Sequence, residues 1–223
     1  MARAADVAQD GGRLGGKLVR QLETLTRMRD RLEASISALT TGEVSDAVTL
    51  REVAIVLQRS QMVLRVAGEV EDVMSALGEE GAFLPGVVAE AVAGVEDRQR
   101  LVVDDYLDSS ETWDADRAVS RLLELTTQEL LELGTVAGVL DPEGRHAADL
   151  DKAAYPRGIR ILYGVPALGP EAIGRIVDHY PDLQHVLQAG ADELAALAGL
   201  DPQSGAHIKD ELARIGLGAV DTP

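Results

Sequence analysis

The chain has 223 residues, 46% hydrophobic, 26% charged and only 3% aromatic, with a net charge of −17. That composition can bury a core of Leu, Val, Ile and Ala in one or two small domains. The absence of cysteine excludes disulfides and thiolate metal sites and fits a reducing, cytoplasmic location. No apolar run approaches the roughly 18 residues of a membrane span, and the N-terminus lacks the apolar core of a signal peptide.

The charge is unevenly spread. Residues 1–31 carry seven basic and four acidic side chains, residues 32–143 seven and twenty-three, and residues 144–223 seven and eleven. The acidic middle argues against non-specific DNA affinity, because electrostatics supplies nearly all of that affinity. It leaves room for a local site.

Residues 1–13 are rich in Gly and Ala and are expected to form a flexible N-terminus. From Leu14 the apolar positions Leu18, Leu22, Leu25, Met28, Leu32, Ile36 and Leu39 recur every three or four residues. This predicts one long amphipathic helix. Leu18, Leu25, Leu32 and Leu39 are seven apart, a seam that either packs on the chain's own next helix or pairs with a second chain. Thr40-Thr41-Gly42 is expected to end this helix. Ser45 or Asp46 then caps a second helix that runs to Leu77 and stops at Gly78.

The sequence "LPG" at 84–86 predicts the start of a third helix reaching Tyr106. "DSSETWDADRA" reads as a polar loop with Asp114 capping a fourth helix. "LLELTTQELLELGTVAGVL" reads as two short helices. Residues 141–158 are polar and turn-rich, and residues 141–154 are the expected linker. Beyond it, "YGVPALGPEAIGRIVDHY" and "AALAGLDPQSGAHIKDEL" repeat one pattern at an offset of 32 residues. Leu168 matches Leu200, Pro170 matches Pro202, and Ile176 matches Ile208. Two helical hairpins sharing one small core are therefore expected over 155–217, with a tail at 218–223. No stretch alternates with strand period, so the class is all-α: an elongated helical bundle over 14–140, then a tandem helix-hairpin-helix domain.

No catalytic, cofactor or metal motif is found: no P-loop, no GxGxxG and no HExxH. His146, His179, His185 and His207 are read as surface or capping residues. The acid pairs Glu79-Glu80, Glu96-Asp97 and Asp104-Asp105 are read as solvated helix ends and faces. The hairpins carry the specific signal. In such a turn, glycines let a nucleic-acid phosphate approach the backbone N–H groups at a helix start, which reads backbone rather than bases.

"VSDAVTLREVAIVLQRSQMVLRVAGEVE" (44–71), "GVEDRQRLVVDDYL" (94–107) and the segment from "YPRGIR" to "LAGL" (155–200) resemble the DNA-integrity-scanning diadenylate cyclases (DisA). The first two resemble the family's helical linker and the third its hairpin domain. The resemblance implies DNA, including branched DNA, as a partner. It also implies pairing of the helical region with a second copy or with a diadenylate cyclase. The family's cyclase domain, with its Asp-Gly-Ala and Arg-His-Arg motifs for ATP, has no counterpart in these 223 residues, so no enzyme activity is expected of them. The initiating Met favours a natural short protein over a fragment.

The hairpins depart from the family's pattern. The first keeps Gly169 but has Ala167 and Glu171; the second keeps Gly199 but has Asp201 and Gln203. The expected DNA-contacting residues are Leu168, Gly169 and Pro170 of the first turn and Gly199 and Leu200 of the second. Arg157, Arg160, Arg175, Lys209 and Arg214 are the nearby cations. Two functional readings follow. One is a non-catalytic DNA-binding protein. The other is an interaction protein whose hairpin domain has lost DNA affinity.

Overall fold

A computed structural model describes residues 2–77, 85–107, 113–141 and 149–220, with side chains over 14–76, 86–107, 113–141 and 149–216. The helices are α1 (Ala2–Val44), α2 (Leu50–Leu77), α3 (Pro85–Val92), α4 (Val95–Tyr106), α5 (Ala115–Glu124) and α6 (Thr127–Leu131). They continue with α7 (Leu133–Ala137), α8 (Ile159–Tyr163), α9 (Pro170–His179), α10 (Leu183–Gln188), α11 (Ala191–Ala198) and α12 (Pro202–Val220). The fold is all-α. Among the described residues Thr49 and Ala153 form one isolated antiparallel bridge. Among them, too, no helix is long and apolar enough to cross a membrane.

Three helix boundaries differ from those read in the sequence. First, α1 begins at Ala2 and runs through Thr40-Thr41-Gly42 to Val44. The threonines do not break it, because their hydroxyls donate back to Ile36 O at 2.9 Å and Ser37 O at 3.1 Å. The helix ends in a Schellman turn: Ala47 N donates to Gly42 O at 2.9 Å and Asp46 N to Glu43 O at 3.5 Å. Asp46 takes the left-handed position there, with φ of 55°, so it closes α1 rather than opening α2.

Second, α2 is opened by Thr49. Glu52, three residues on, accepts from the Thr49 backbone N–H at 2.7 Å and from its hydroxyl at 2.9 Å. Third, the helix expected to run to Tyr106 is two helices, α3 and α4. They are separated at Gly94, whose φ of +68° a helix cannot contain. The expected cap of α5 is present: Asp114 accepts from Arg117 N at 2.9 Å. Thr126 and Glu129 form a reciprocal capping box on α6.

Contacts group the chain into two units, 1–33 with 59–97, and 34–58 with 98–223. In the first, α1 and α2 run antiparallel: Gln21 reaches Glu69 at 3.1 Å and Arg59 reaches the carbonyl of Arg31 at 2.9 Å. Leu18, Leu25 and Leu32 are buried there, as are Val63, Ala67, Val70 and Met74 on α2. The leucine seam is thus already covered within the chain.

In the second unit, the described part of the segment expected as a linker is fastened to the start of α2. Leu50 N donates to Lys152 O at 3.0 Å, Arg51 N to Leu150 O at 2.8 Å and Ala154 N to Val48 O at 2.9 Å. Residues 142–148, with His146, lie outside the described residues, as do Glu79 and Glu80. Helices α8 to α12 enclose one apolar cluster, in which Leu162, Ile176, Leu183, Leu194 and Ile208 are wholly buried. Each such side chain contributes about 1.5–3 kcal/mol. The matched Ile176 and Ile208 meet in that cluster, as the 32-residue repeat requires.

Candidate nucleic-acid interface

The two hairpins are α8–α9, joined through residues 164–169, and α11–α12, joined through 199–201. The first turn is tied by Val165 N to Leu162 O and Leu168 N to Val165 O, both at 3.0 Å. Gly169 is the N-cap of α9. It has extended backbone, and no side chain caps the helix start. A Cβ added at Gly169 would meet nothing within 4 Å. Pro170 follows with no N–H to satisfy, which leaves the first-turn amides of Glu171 and Ala172 facing outward from α9.

The second turn is built differently. Gly199 closes α11 in the left-handed conformation at φ of +69°, and Leu200 N donates to Ala195 O at 2.9 Å. Asp201 then turns onto α12. Its Oδ1 accepts from Gln203 N at 2.9 Å and Ser204 N at 3.2 Å, and its Oδ2 from the Ser204 hydroxyl at 2.7 Å. The Ser204 hydroxyl, followed by the Ser204 amide, holds the Asp201 carboxyl below the usual carboxylate range. The second helix start is therefore occupied by the chain's own carboxylate, and the first is not.

The five expected cations all have protein partners. Arg157 stands 3.5 Å from Asp178. Arg175 donates to Leu197 O at 2.8 Å and Ala198 O at 2.6 Å, so it closes the C-terminal end of α11. Lys209 donates to Leu187 O at 2.5 Å. Arg214 pairs with Glu211 on its own helix. Of the turn leucines, Leu168 is buried and Leu200 is partly exposed.

Arg160 departs furthest from the expectation. Its side chain is only 11% exposed and pairs with Glu43, which is fully buried. Glu43 also accepts from the Tyr106 hydroxyl at 2.9 Å, and its carbonyl accepts from Gln184 at 2.8 Å. Beside it, Asp105 is 1% exposed and accepts from Ile159 N at 2.6 Å and Arg160 N at 3.0 Å. Asp105, on α4, thus caps α8 from another helix, a service that Gly158 at the N-cap of α8 cannot perform.

Two carboxylates face one guanidinium in this cluster. Burial, then the charge of Glu43, push the Asp105 carboxyl up to about 7. Burial raises Glu43 as well, against the pull of Arg160. Reading Asp104-Asp105 as a solvated pair holds for Asp104, which stays near Arg100 at the surface, and fails for Asp105. The signal was in the spacing: Asp105 follows Val102 by three residues and shares its buried face. Glu43 carried the same signal, four residues after the buried Leu39, but its partners on α4, α8 and α10 are brought to it only by the fold.

His185 and His179 behave as capping and surface groups: His185 lies 2.7 Å from its N-cap Asp182, and His179 lies 3.8 Å from Glu193. Among the described residues no group of His, Cys, Asp or Glu is placed to hold a metal. A cleft of about 270 Å³ beside Leu50, Tyr106, Leu140 and Tyr155 is mostly apolar.

Residues 10–148 match the family described as the DisA bacterial checkpoint controller linker region. The DNA integrity scanning protein DisA of Streptomyces avermitilis is 36% identical over 212 residues, covering 94% of this chain and 56% of that protein. Those of Acidothermus cellulolyticus and Frankia alni are 36% and 37% identical, covering 87% of this chain and 53% and 54% of theirs. The chain spans about half the length of these relatives.

Proposed function

Since the chain belongs to the DisA family of DNA integrity scanning proteins, we propose that its hairpin domain binds the DNA backbone, and does so through the first hairpin. The observation that carries this reading is the contrast between the two helix starts. No side chain caps the first-turn amides of Glu171 and Ala172, and open space lies where a side chain at Gly169 would stand. A phosphate oxygen accepting those N–H groups would also gain from the positive end of the α9 dipole. At the second hairpin the same position is filled by Asp201. There a phosphate at about 4 Å would be repelled by about 4 kcal/mol at an effective dielectric near 20.

Gly169 and Pro170 form the contact, with Leu168 buried behind them, and the partly exposed Arg157, near the far end of α9, and Arg214 are the domain's surface cations. Gly199, Arg175, Lys209 and Arg160 hold the hairpins in place, and Leu200 lies on the structural turn. With so few cations offered, binding is weak and its salt dependence shallow. Neutralising about two phosphates gives a log–log slope near −2. The reading is non-catalytic: incubation of these 223 residues with ATP and Mn²⁺ yields no cyclic dinucleotide.

A gel-shift series with a four-way junction and a matched duplex at 50 and 150 mM salt tests the proposal. Gly169→Asp is expected to abolish binding and Asp201→Gly to strengthen it. If the wild-type chain shifts neither DNA at 50 mM salt, DNA binding is refuted.

One observation favours a second reading, an interaction protein that pairs with itself or with a diadenylate cyclase: every expected cation already has a partner within the protein. Light scattering alone and with a full-length relative distinguishes the two.

A further inference from the structure

Positive charge that the hairpins do not offer stands on α1. Lys17, Arg20, Thr24, Arg27 and Arg31 follow one another at spacings of three and four, so they form one stripe along the helix, about 21 Å long at 1.5 Å per residue. Lys17, Thr24 and Arg31 each directly precede a buried seam leucine, Leu18, Leu25 or Leu32, which sets the stripe about 100° around the helix from the covered face. The four cations are exposed and Thr24 is half-buried.

Contacts along the helix knit the stripe together. The Thr24 hydroxyl donates to Arg20 O at 2.8 Å and accepts from Arg27 Nη2 at 3.4 Å. Arg27 Nε donates to Glu23 O at 3.2 Å. Arg20 folds back over Gly16, where a Cβ would lie 3.7 Å from its Nη1. At the other end Arg59 Nη1 donates to Arg31 O at 2.9 Å and adds a guanidinium from α2. Glu23 and Asp30 are exposed on the neighbouring strip, yet among the described residues no carboxylate pairs with Lys17, Arg20 or Arg27. In the hairpin domain, by contrast, Arg157 and Arg214 face carboxylates, and Arg175 and Lys209 close helix ends.

The chemistry of the stripe selects its partner. A docked protein helix needs an apolar seam. Among the described residues of α1 the exposed large apolar side chain is Val19, which lies about 120° around the helix from Arg31. A row of cations without apolar neighbours suits a hydrated polyanion, and the forked N–H groups of arginine match phosphate oxygens. Duplex DNA presents one phosphate charge per about 1.7 Å of axis, enough to face every cation of the stripe.

We propose that the cationic stripe of α1 is a second nucleic-acid contact, gripping the phosphate backbone of DNA already held at the hairpin domain. The inference rests on the DNA-binding reading above, because a chain of net charge −17 gains little from long-range attraction and must first be held on DNA by the hairpin.

Fluorescence anisotropy with a 60-base-pair duplex, about 200 Å long at 3.4 Å per base pair, tests this with the full 223-residue chain between 50 and 150 mM salt. The wild-type log–log slope is expected to be steeper than the value near −2 of the hairpin alone. Arg20→Gln with Arg27→Gln removes two phosphate contacts. Its slope is expected to be about 2 units shallower, so its affinity falls about sevenfold less than that of wild type over this salt range. Lys17→Gln alone makes the slope about 1 unit shallower. Glutamine keeps the helix, and an unchanged melting temperature checks that the variants are folded. Arg51→Gln with Lys152→Gln removes the same charge away from the stripe and is expected to keep the wild-type slope. If the stripe variants keep the wild-type slope, or the control loses as much, the α1 contact is overturned while DNA binding at the hairpin stands. If the slope is kept but the stripe variant dissociates a wild-type dimer in sedimentation, the stripe meets the acidic surface of a second copy and the inference is overturned. If wild type binds no DNA at 50 mM salt, the DNA-binding reading and this inference both fall.

Discussion

Replacing Asp105 by Asn should reverse the order of stability between acid and alkaline pH. In the folded protein Asp105 titrates at about 7, against 3.8 for the free group. The folded state therefore holds a proton that the unfolded state has lost between those values. The stabilisation is fully present below pH 3.8 and is lost as pH rises through 7. At 1.36 kcal/mol per pH unit, the two units from pH 5 to 7 cost the wild type about 3 kcal/mol. Asn carries no charge at any pH, so the variant escapes this loss.

At pH 5 the neutral carboxyl of Asp105 can still accept on both oxygens, from Ile159 N and Arg160 N, whereas Asn has one acceptor oxygen and turns its NH2 donor toward the other amide. One buried amide is then left unpaired, at roughly 1–3 kcal/mol. The variant is expected to be less stable than wild type at pH 5 and equal or more stable at pH 8. Urea denaturation followed by circular dichroism at both pH values measures the difference, in which the other carboxylates cancel to first order. Parallel pH profiles for the two proteins would refute the reasoning.

Arg160→Met leaves Glu43 buried beside Asp105 with only Tyr106 to serve it. It should cost about 3–5 kcal/mol in urea denaturation at pH 8, and a shift below 1 kcal/mol would contradict the buried cluster. Gly205→Ala must move α11 away from α12, because the new Cβ would fall 2.1 Å from a backbone oxygen. The expected cost is about 1–3 kcal/mol, read as a lowered melting temperature. Leu25→Lys buries an ammonium at a position only 1% exposed. It should unfold the α1–α2 pair rather than merely dissociate an oligomer, seen as lost helical signal in a monomeric sample.

The sequence by itself determined the elements whose causes are local. The 3.6-residue spacing of leucines made α1, Asp114 started α5, and the 32-residue repeat required two hairpins around a common core. It also determined Asp201 as a cap, because a carboxylate just before Pro202 has the amides of Gln203 and Ser204 within reach whatever surrounds it. Only the tertiary structure decided the rest. The length of α1 past Thr40-Thr41-Gly42 depends on hydroxyls satisfied along the helix and on Asp46 taking the left-handed position after it. The fate of Arg160 was decided furthest from its own sequence, by Glu43 and Asp105, more than a hundred and more than fifty residues away. A charged side chain looks the same in a sequence whether it meets solvent or a buried counter-charge. Its role is fixed by the electrostatic field of groups that only the folded chain brings together.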